Sequence, residues 1–350
     1  MADDTPRHKR RPRYRGKNPR AFHEKYKELD PDRYAADVEK VLAGGKTPAG
    51  SHRPIMVAEI LECLRPAPGD MAVDATLGGG GHARAILERI VPGGRLIALD
   101  VDPLELPRTE RRLREAGFND QVMTVHHSNF AGLSRVLARE GVAGANVILA
   151  DLGVSSMQLD NPDRGFGYKE AGPLDMRMNP LKGLPASQLV ERATREHLAA
   201  LLTENADEPH AQLIAVAMKE QPIESTAALH QVVRRALRDL RLAEKDETAS
   251  VRRTFQALRI AVNDEFATLD WFLRSLPECL APGGRVAILT FHSGEDRRVK
   301  KAFQSGLRDG LYSATSTEVV RAGEEETRAN PRASSAKLRW AVRATAPAGS

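Results

Sequence analysis

Apolar positions along the chain switch between two spacings, and the order of the switches predicts an architecture. Ile55, Val57, Ile60, Leu61 and Leu64 recur with the three-and-four spacing of one helix face, and Pro66 with Pro68-Gly69 ends that helix. Met71 to Asp74 (M-A-V-D) is a short apolar run closed by an acid and then by glycines, the pattern of a buried strand feeding a turn. Helix is expected over Ala83 to Ile90, strand over Arg95 to Asp100, and helix over Pro103 to Ala116. Strand over Gln121 to Val125, helix over Phe130 to Glu140 and a fourth strand over Asn146 to Asp151 continue the series. Strand and helix in turn with short links predict an α/β fold, a parallel, doubly wound Rossmann-like sheet.

The alternation then stops. Asn161 to Gly183, rich in Gly, Pro, Asp and Asn, is expected as an ordered loop, and Ala186 to about Ala243 is helical in pattern throughout. A long helix from Arg253 to about Leu280 precedes a fifth strand at Arg285 to Phe291, and Leu311 to Val342 is expected to add edge strands. The domain reading is a basic N-terminal arm over 1–50, a sheet domain from 51–164 and 250–345, and a loop with an all-helical insert over 165–249. No internal repeat is visible.

Composition narrows the class. Hydrophobic content of 41% with 28% charged residues is that of a globular chain, and no apolar run approaches a membrane span. The N-terminus has no apolar core of a secretory signal, so a cytoplasmic setting is expected. Cys63 and Cys279 sit in apolar helical surroundings without a C-x-x-C spacing, as reduced structural thiols do. His126 and His127 are adjacent, so on a strand they face opposite ways, and no metal is expected. Charge is more informative once located. Arg7 to Arg20 holds eight Lys or Arg and no acid; setting those eight aside turns the net charge of +5 into −3. A phosphate-binding arm and a merely solvated tail both fit that cluster.

Chemistry gathers at D-A-T-L-G-G-G-G-H, Asp74 to His82, where glycines follow a strand and precede a helix. Without Cβ atoms they let the backbone turn sharply and approach a ligand, and the helix N-terminus beyond offers free N–H groups. Asp100 closes the next strand, where an acid can accept ribose hydroxyls. Together these point to an adenosine-containing cofactor. Gly78-x-Gly80-x-x-Ala83 also fits a dinucleotide fingerprint, so a nicotinamide dehydrogenase is the first rival. Asp74 disfavours it, because an acid on the strand suits the amino group of a methionine moiety and repels a pyrophosphate.

Longer motifs are more specific. D-L-G-V-S-S-M-Q-L-D (Asp151 to Asp160), D-R-G-F-G-Y (Asp163 to Tyr168) and G-P-L-D-M-R-M (Gly172 to Met178) stand with H-R-P-I-M at His52. R-T-F-Q-A-L-R-I-A-V-N at Arg253, F-H-S-G-E-D-R at Phe291 and N-P-R-A-S-S-A-K-L-R at Asn330 complete the set. The chain thereby closely resembles, from about Ser51 to Arg343, the bacterial 16S rRNA (cytosine-N4) methyltransferase family, RsmH or MraW. The resemblance implies a Rossmann-like S-adenosylmethionine-dependent methyltransferase fold with a helical insert. It implies S-adenosylmethionine as methyl donor, and as acceptor a cytosine N4 in the decoding region of 16S rRNA on the small ribosomal subunit. It places cofactor contacts on Gly80, Gly81, His82, Asp100, Phe130, Asp151 and Gln158, and leaves the arm before Ser51 outside the shared core. The chain departs from the family at Ala75, Leu77, Gly294, Ser334 and Ala206 to His210.

Cytosine N4 is a poor nucleophile because its lone pair is delocalised into the ring, so a hydrogen-bond acceptor on N4–H is needed. Asp151, or a backbone carbonyl beside it, is the first candidate, and Asp175 the second. Gln256, Arg259 and Asn263 share a helix face that either reaches the active site or forms a polar network against the sheet, the network being the favoured reading. Ser293-x-x-Asp296 is expected as a helix N-cap with His292 near the cleft, and Met176 and Met178 as packing. Arg234, Arg238 and Arg241 form a basic stripe on one insert helix, the best RNA-facing candidate of the body. A methyltransferase with another nucleic acid or protein acceptor and a non-catalytic ribosome-binding module remain as rival readings beside the dehydrogenase.

Overall fold

The computed structural model describes residues 54–345, so the basic arm of residues 1–50 lies outside the described residues. Helix α1 (Val57–Leu64) leads to β1 (Met71–Asp74), α2 (Gly81–Ile90), β2 (Arg95–Asp100), α3 (Leu106–Glu115), β3 (Met123–His127), α4 (Leu133–Arg139) and β4 (Ala145–Asp151). A short α5 (Ser156–Asp160) and a long loop precede α6 (Ala186–Arg192), α7 (Arg195–Ala206), α8 (Ala211–Met218) and α9 (Thr226–Leu237). Then come α10 (Glu244–Asn263), α11 (Glu265–Cys279), β5 (Leu280–Thr290), α12 (Ser293–Arg308), β6 (Tyr312–Thr315), α13 (Glu324–Ala329) and β7 (Lys337–Arg343).

The strands form one sheet in the order β3-β2-β1-β4-β5-β7-β6. From β3 through β5 all neighbours are parallel, and β7 runs antiparallel to both β5 and β6. The fold class expected from the alternation is the one observed. Side chains alternate across the sheet: Ala72, Leu96 and Ala98 join the core under α1, α2 and α3, whereas Val73, Ile97 and Leu99 join the one under α4, α11 and α12. Strand order reverses between β1 and β4, and at such a switch point a crevice opens at the carboxyl ends of the strands.

A third apolar cluster lies in the helical insert, built from Val190, Leu198, Leu202, Ile214, Leu229 and Val233 among others. The boundary drawn at residue 250 falls inside α10, whose Val251, Phe255 and Leu258 pack in that cluster. Three expectations need correction. The single helix over Arg253 to Leu280 is two, because Asp264 between α10 and α11 takes a left-handed conformation at φ 50°. Of the two C-terminal strands only β6 is an edge, since β7 is paired on both sides. The side chains of Ser293 and Asp296 do not cap α12: Asp296 instead pairs with Arg339 and Lys337 of β7, and the Phe291 N–H is taken by Glu295.

Candidate active site

Three carboxylates mark the crevice. Asp74, Asp100 and Asp151 are the last residues of β1, β2 and β4, and pairing of Asp74 with Ala98 and Leu149 puts these ends side by side. The turn after β1 is pinned from below. Leu77 N–H donates to the Leu99 carbonyl (2.8 Å), Thr109 Oγ1 donates to the Gly78 carbonyl (2.6 Å), and Asp151 N–H donates to Thr76 Oγ1 (2.6 Å). Gly80 has φ 76°, and a Cβ there would stand 2.7 Å from Thr109 Cγ2. A Cβ on Gly81 would meet the Pro54 ring at 2.8 Å, so these two glycines are required by close approach as well as by the turn.

Each acid has a different set of partners. Asp100 accepts from Gly78 N–H (2.7 Å) on Oδ2 and from Asp102 N–H (2.9 Å) on Oδ1, which leaves lone pairs on both oxygens for further donors. Asp74 is 1% exposed; Oδ1 accepts from Thr76 N–H (3.1 Å), and Oδ2 is buried without a hydrogen-bond partner. Asp151 has a buried, unpartnered Oδ1, although its side chain as a whole is 29% exposed toward the crevice. Burial pushes the carboxyl groups of all three above the usual carboxylate range, and Asp151, with Glu295 adding repulsion, is raised to about 7. His82, in the first turn of α2, places Nδ1 3.6 Å from Asp151 Oδ2 and Nε2 2.9 Å from the Ile55 carbonyl. Phe130 stands beyond β3 and packs edge-on against Phe272 with ring centroids 5.3 Å apart.

A buried clamp closes one side. Asp102 is 1% exposed and accepts from Leu104 N–H (2.9 Å), Gln158 Nε2 (2.7 Å) and Arg164 Nη1 (2.7 Å). Arg164 also donates from Nη2 to the Arg177 and Met178 carbonyls, and Gln158 Oε1 accepts from Ser155 N–H in a capping box on α5. The clamp thus ties the loop after β4 to the end of β2. Gln158 is engaged at both ends of its amide and holds Asp102. Neither Asp102 nor Arg164 stands out in the sequence as a site residue, though together they hold this side of the crevice. Their signals are present, the first as the second acid of D-V-D and the second inside D-R-G-F-G-Y, but only the fold brings them together.

Other candidates fall elsewhere. Asp175 is gripped by Arg177 through Nε to Oδ1 (2.8 Å) and Nη2 to Oδ2 (2.7 Å), which holds its carboxyl below the usual range and leaves it a poor proton acceptor. Met176 is fully buried in the insert core, as expected of packing. The three polar residues of α10 do not form one network against the sheet: Asn263 accepts from Met178 N–H and donates to the Met176 carbonyl of the loop, Arg259 grips Glu265, and Gln256 donates to the Asn205 carbonyl of the insert. Glu265, His292 and Glu295 bring ligand-type atoms within 4.8 Å of one another, yet both oxygens of Glu265 already accept from Arg259. The basic stripe is not one helix face: α9 ends at Leu237, Arg234 pairs with Glu247, and Arg238 opens a separate turn. His126 and His127 face different partners, Glu140 at 2.9 Å and the Val101 carbonyl at 3.0 Å. Among the described residues no helix is long and apolar enough to cross a membrane.

Comparison with known proteins identifies the family. The chain is 48% identical over 351 residues to ribosomal RNA small subunit methyltransferase H 2 of Alkaliphilus metalliredigens, covering 98% of this chain and 100% of that protein. It is 48% identical over 346 residues to ribosomal RNA small subunit methyltransferase H 1 of Agathobacter rectalis, covering 96% and 98%. Against ribosomal RNA small subunit methyltransferase H of Syntrophotalea carbinolica it is 41% identical over 307 residues, covering 82% and 96%. The first two alignments take in most of residues 1–50, whereas the family core begins at residue 49, so the basic arm lies outside that core as expected. The family model described as the MraW methylase family matches residues 49–344, and the chain belongs to that family.

Proposed function

We propose that this protein transfers the methyl group of S-adenosylmethionine to the exocyclic N4 of a cytosine in the decoding region of 16S rRNA, met on the small ribosomal subunit. The observation that carries the reading is the Asp151 carboxylate: it ends β4 at the switch point, holds one buried unpartnered oxygen and titrates near neutrality. The names of the relatives support the acceptor, since they are small-subunit rRNA methyltransferases. The site also fits the cofactor. Gly80 and Gly81 leave room for close backbone approach, Asp100 keeps lone pairs for two ribose hydroxyls, and the orphaned Asp74 Oδ2 suits an ammonium group. His82 stands beside Asp151, Phe130 follows the carboxyl end of β3, and Gln158 supports the site through Asp102.

S-adenosylmethionine supplies a methyl group already activated on a cationic sulfur. The chain's own task is alignment, exclusion of water and management of one proton. An ionised Asp151 accepting from N4–H draws the nitrogen lone pair out of the ring and then takes the proton that methylation releases. Asp175 is the second choice, disfavoured by its ion pair with Arg177. The test is incubation with labelled S-adenosylmethionine and small subunits, free rRNA, DNA or protein, followed by mapping of the labelled base. Label on cytosine N4 of 16S rRNA is expected; label elsewhere or none overturns the assignment.

A further inference from the structure

One buried histidine has its tautomer fixed by the backbone, and what is left free faces Asp151. The Ile55 carbonyl, 2.9 Å from His82 Nε2, can only accept, so Nε2 carries the hydrogen. His82 lies in the first turn of α2, where the free N–H groups form a positive end, and burial lowers its proton affinity further. With the hydrogen on Nε2, and the helix end and burial both disfavouring a second proton, Nδ1 keeps a lone pair 3.6 Å from Asp151 Oδ2. Two lone pairs face each other comfortably only with a hydrogen between them, and Asp151 is the partner that can bring it. The charged groups facing this pair from other elements are acids: Asp74 from β1, Asp100 beyond it on β2, Glu295 from α12 and Glu326 from α13. His292 pairs with Glu295, and Arg259, itself bound to Glu265, acts on Glu295 through space.

We propose that His82 is a positioning residue of the methyl transfer, its Nδ1 lone pair accepting the hydrogen of the Asp151 carboxyl group once Asp151 has taken a proton from the cytosine amine. This rests on Asp151 being the proton acceptor, as under the proposed function. The N4 lone pair forms the bond to the methyl carbon, the carbon–sulfur bond breaks with its electron pair left on sulfur, and the cationic nitrogen loses one proton to Asp151. A neutral methylated amine and a neutral carboxyl group remain, and the neutral carboxyl group is the form His82 stabilises. Closing from 3.6 Å to a hydrogen bond takes a shift of less than about 1 Å, as when catalytic contacts tighten on binding.

Two substitutions separate the roles of the two ring nitrogens. His82→Gln keeps an N–H for the Ile55 carbonyl but puts no acceptor at the Nδ1 position; His82→Asn puts its Oδ1 there. The carbonyl infrared band of the protonated Asp151 carboxyl, assigned by its loss in Asp151→Asn, is titrated in full-length protein without RNA. In His82→Gln the midpoint is expected to fall by at least about half a pH unit, and His82→Asn is expected to restore most of it. A midpoint that rises means a cationic His82, and one that stays means no contact; either result overturns the proposal. In single-turnover methylation of small subunits, the acid limb of the rate profile is expected to move with the infrared midpoint. A limb that stays in place overturns the role in transfer. Wild-type protein that leaves rRNA unlabelled defeats the proposed function instead, and the infrared titration reads separately from it.

Discussion

Asp151 combines a functional and a destabilising feature in one side chain. Its folded carboxyl titrates at about 7 against an ordinary value of 3.8, because burial and Glu295 both disfavour the anion. The folded state thus binds the extra proton between those values. Stability relative to the unfolded chain is therefore fully present below about pH 4 and is lost as pH rises through 7. Asp151→Asn removes the penalty of holding the anion, so it is expected to raise the melting temperature at pH 8. The gain is about 1–3 kcal/mol there, reduced from the full shift because the side chain keeps an open edge, and it shrinks toward pH 5. Differential scanning calorimetry at the two pH values checks this. The same variant is expected to lose roughly 10²- to 10⁴-fold in methyl transfer while binding of S-adenosylmethionine, read by calorimetry, changes far less. Equal loss of both would place Asp151 with the cofactor alone.

Among the elements, the loop from α5 to Met178 depends on one buried ion pair. Asp102 and Arg164 are both nearly inaccessible, and removal of one partner leaves the other charged in a low-dielectric setting. Arg164→Met is therefore expected to cost about 3–5 kcal/mol. Hydrogen exchange is expected to speed up over residues 155–178 before it does so in the sheet. Uniform acceleration throughout the chain would count against a local clamp. That loop also shows where sequence reading stops. Strands β1, β2 and β4 are legible because each is a short apolar run ending in an acid, and the glycine turn because its chemistry is local. Asp102 and Arg164 are 62 residues apart, and no periodicity joins them. The break at Asp264 is hidden for another reason: helical spacing runs on through Asn263 and Asp264, and a single left-handed residue leaves the apolar pattern nearly intact. The pattern over β7 identifies a strand but not the two neighbours it inserts between, so its central place is visible only in the sheet.

At the scale of the molecule, charge is divided between site and periphery. Three adjacent strand ends present Asp74, Asp100 and Asp151, all with raised proton affinity, so a ligand carrying net positive charge displaces protons when it binds. From Asp74 alone, the acid facing the ammonium group and raised to about 6, affinity for S-adenosylmethionine is expected to rise about tenfold from pH 5 to pH 7 and to level off above. Calorimetry in buffers of different ionisation enthalpy is expected to show proton release at pH 6.5, and a binding heat independent of buffer would contradict it. An acidic crevice cannot also be what attracts the RNA backbone. With the eight Lys and Arg between Arg7 and Arg20 set aside the chain carries −3, and the insert's Arg234 is already paired with Glu247. The basic segment is therefore expected to supply phosphate contacts. Replacing those eight residues by Gln in the full-length protein is expected to weaken binding to small subunits by about 10-fold or more at low salt. It is also expected to flatten the dependence of log affinity on log salt by about 0.7 to 0.9 for each phosphate that is no longer neutralised. Cofactor affinity and its pH dependence are expected to stay unchanged, because the three acids that set them belong to the sheet. An unaltered salt slope would move the RNA-binding surface onto the folded body, with the exposed cations of the insert and α12 as the next to substitute.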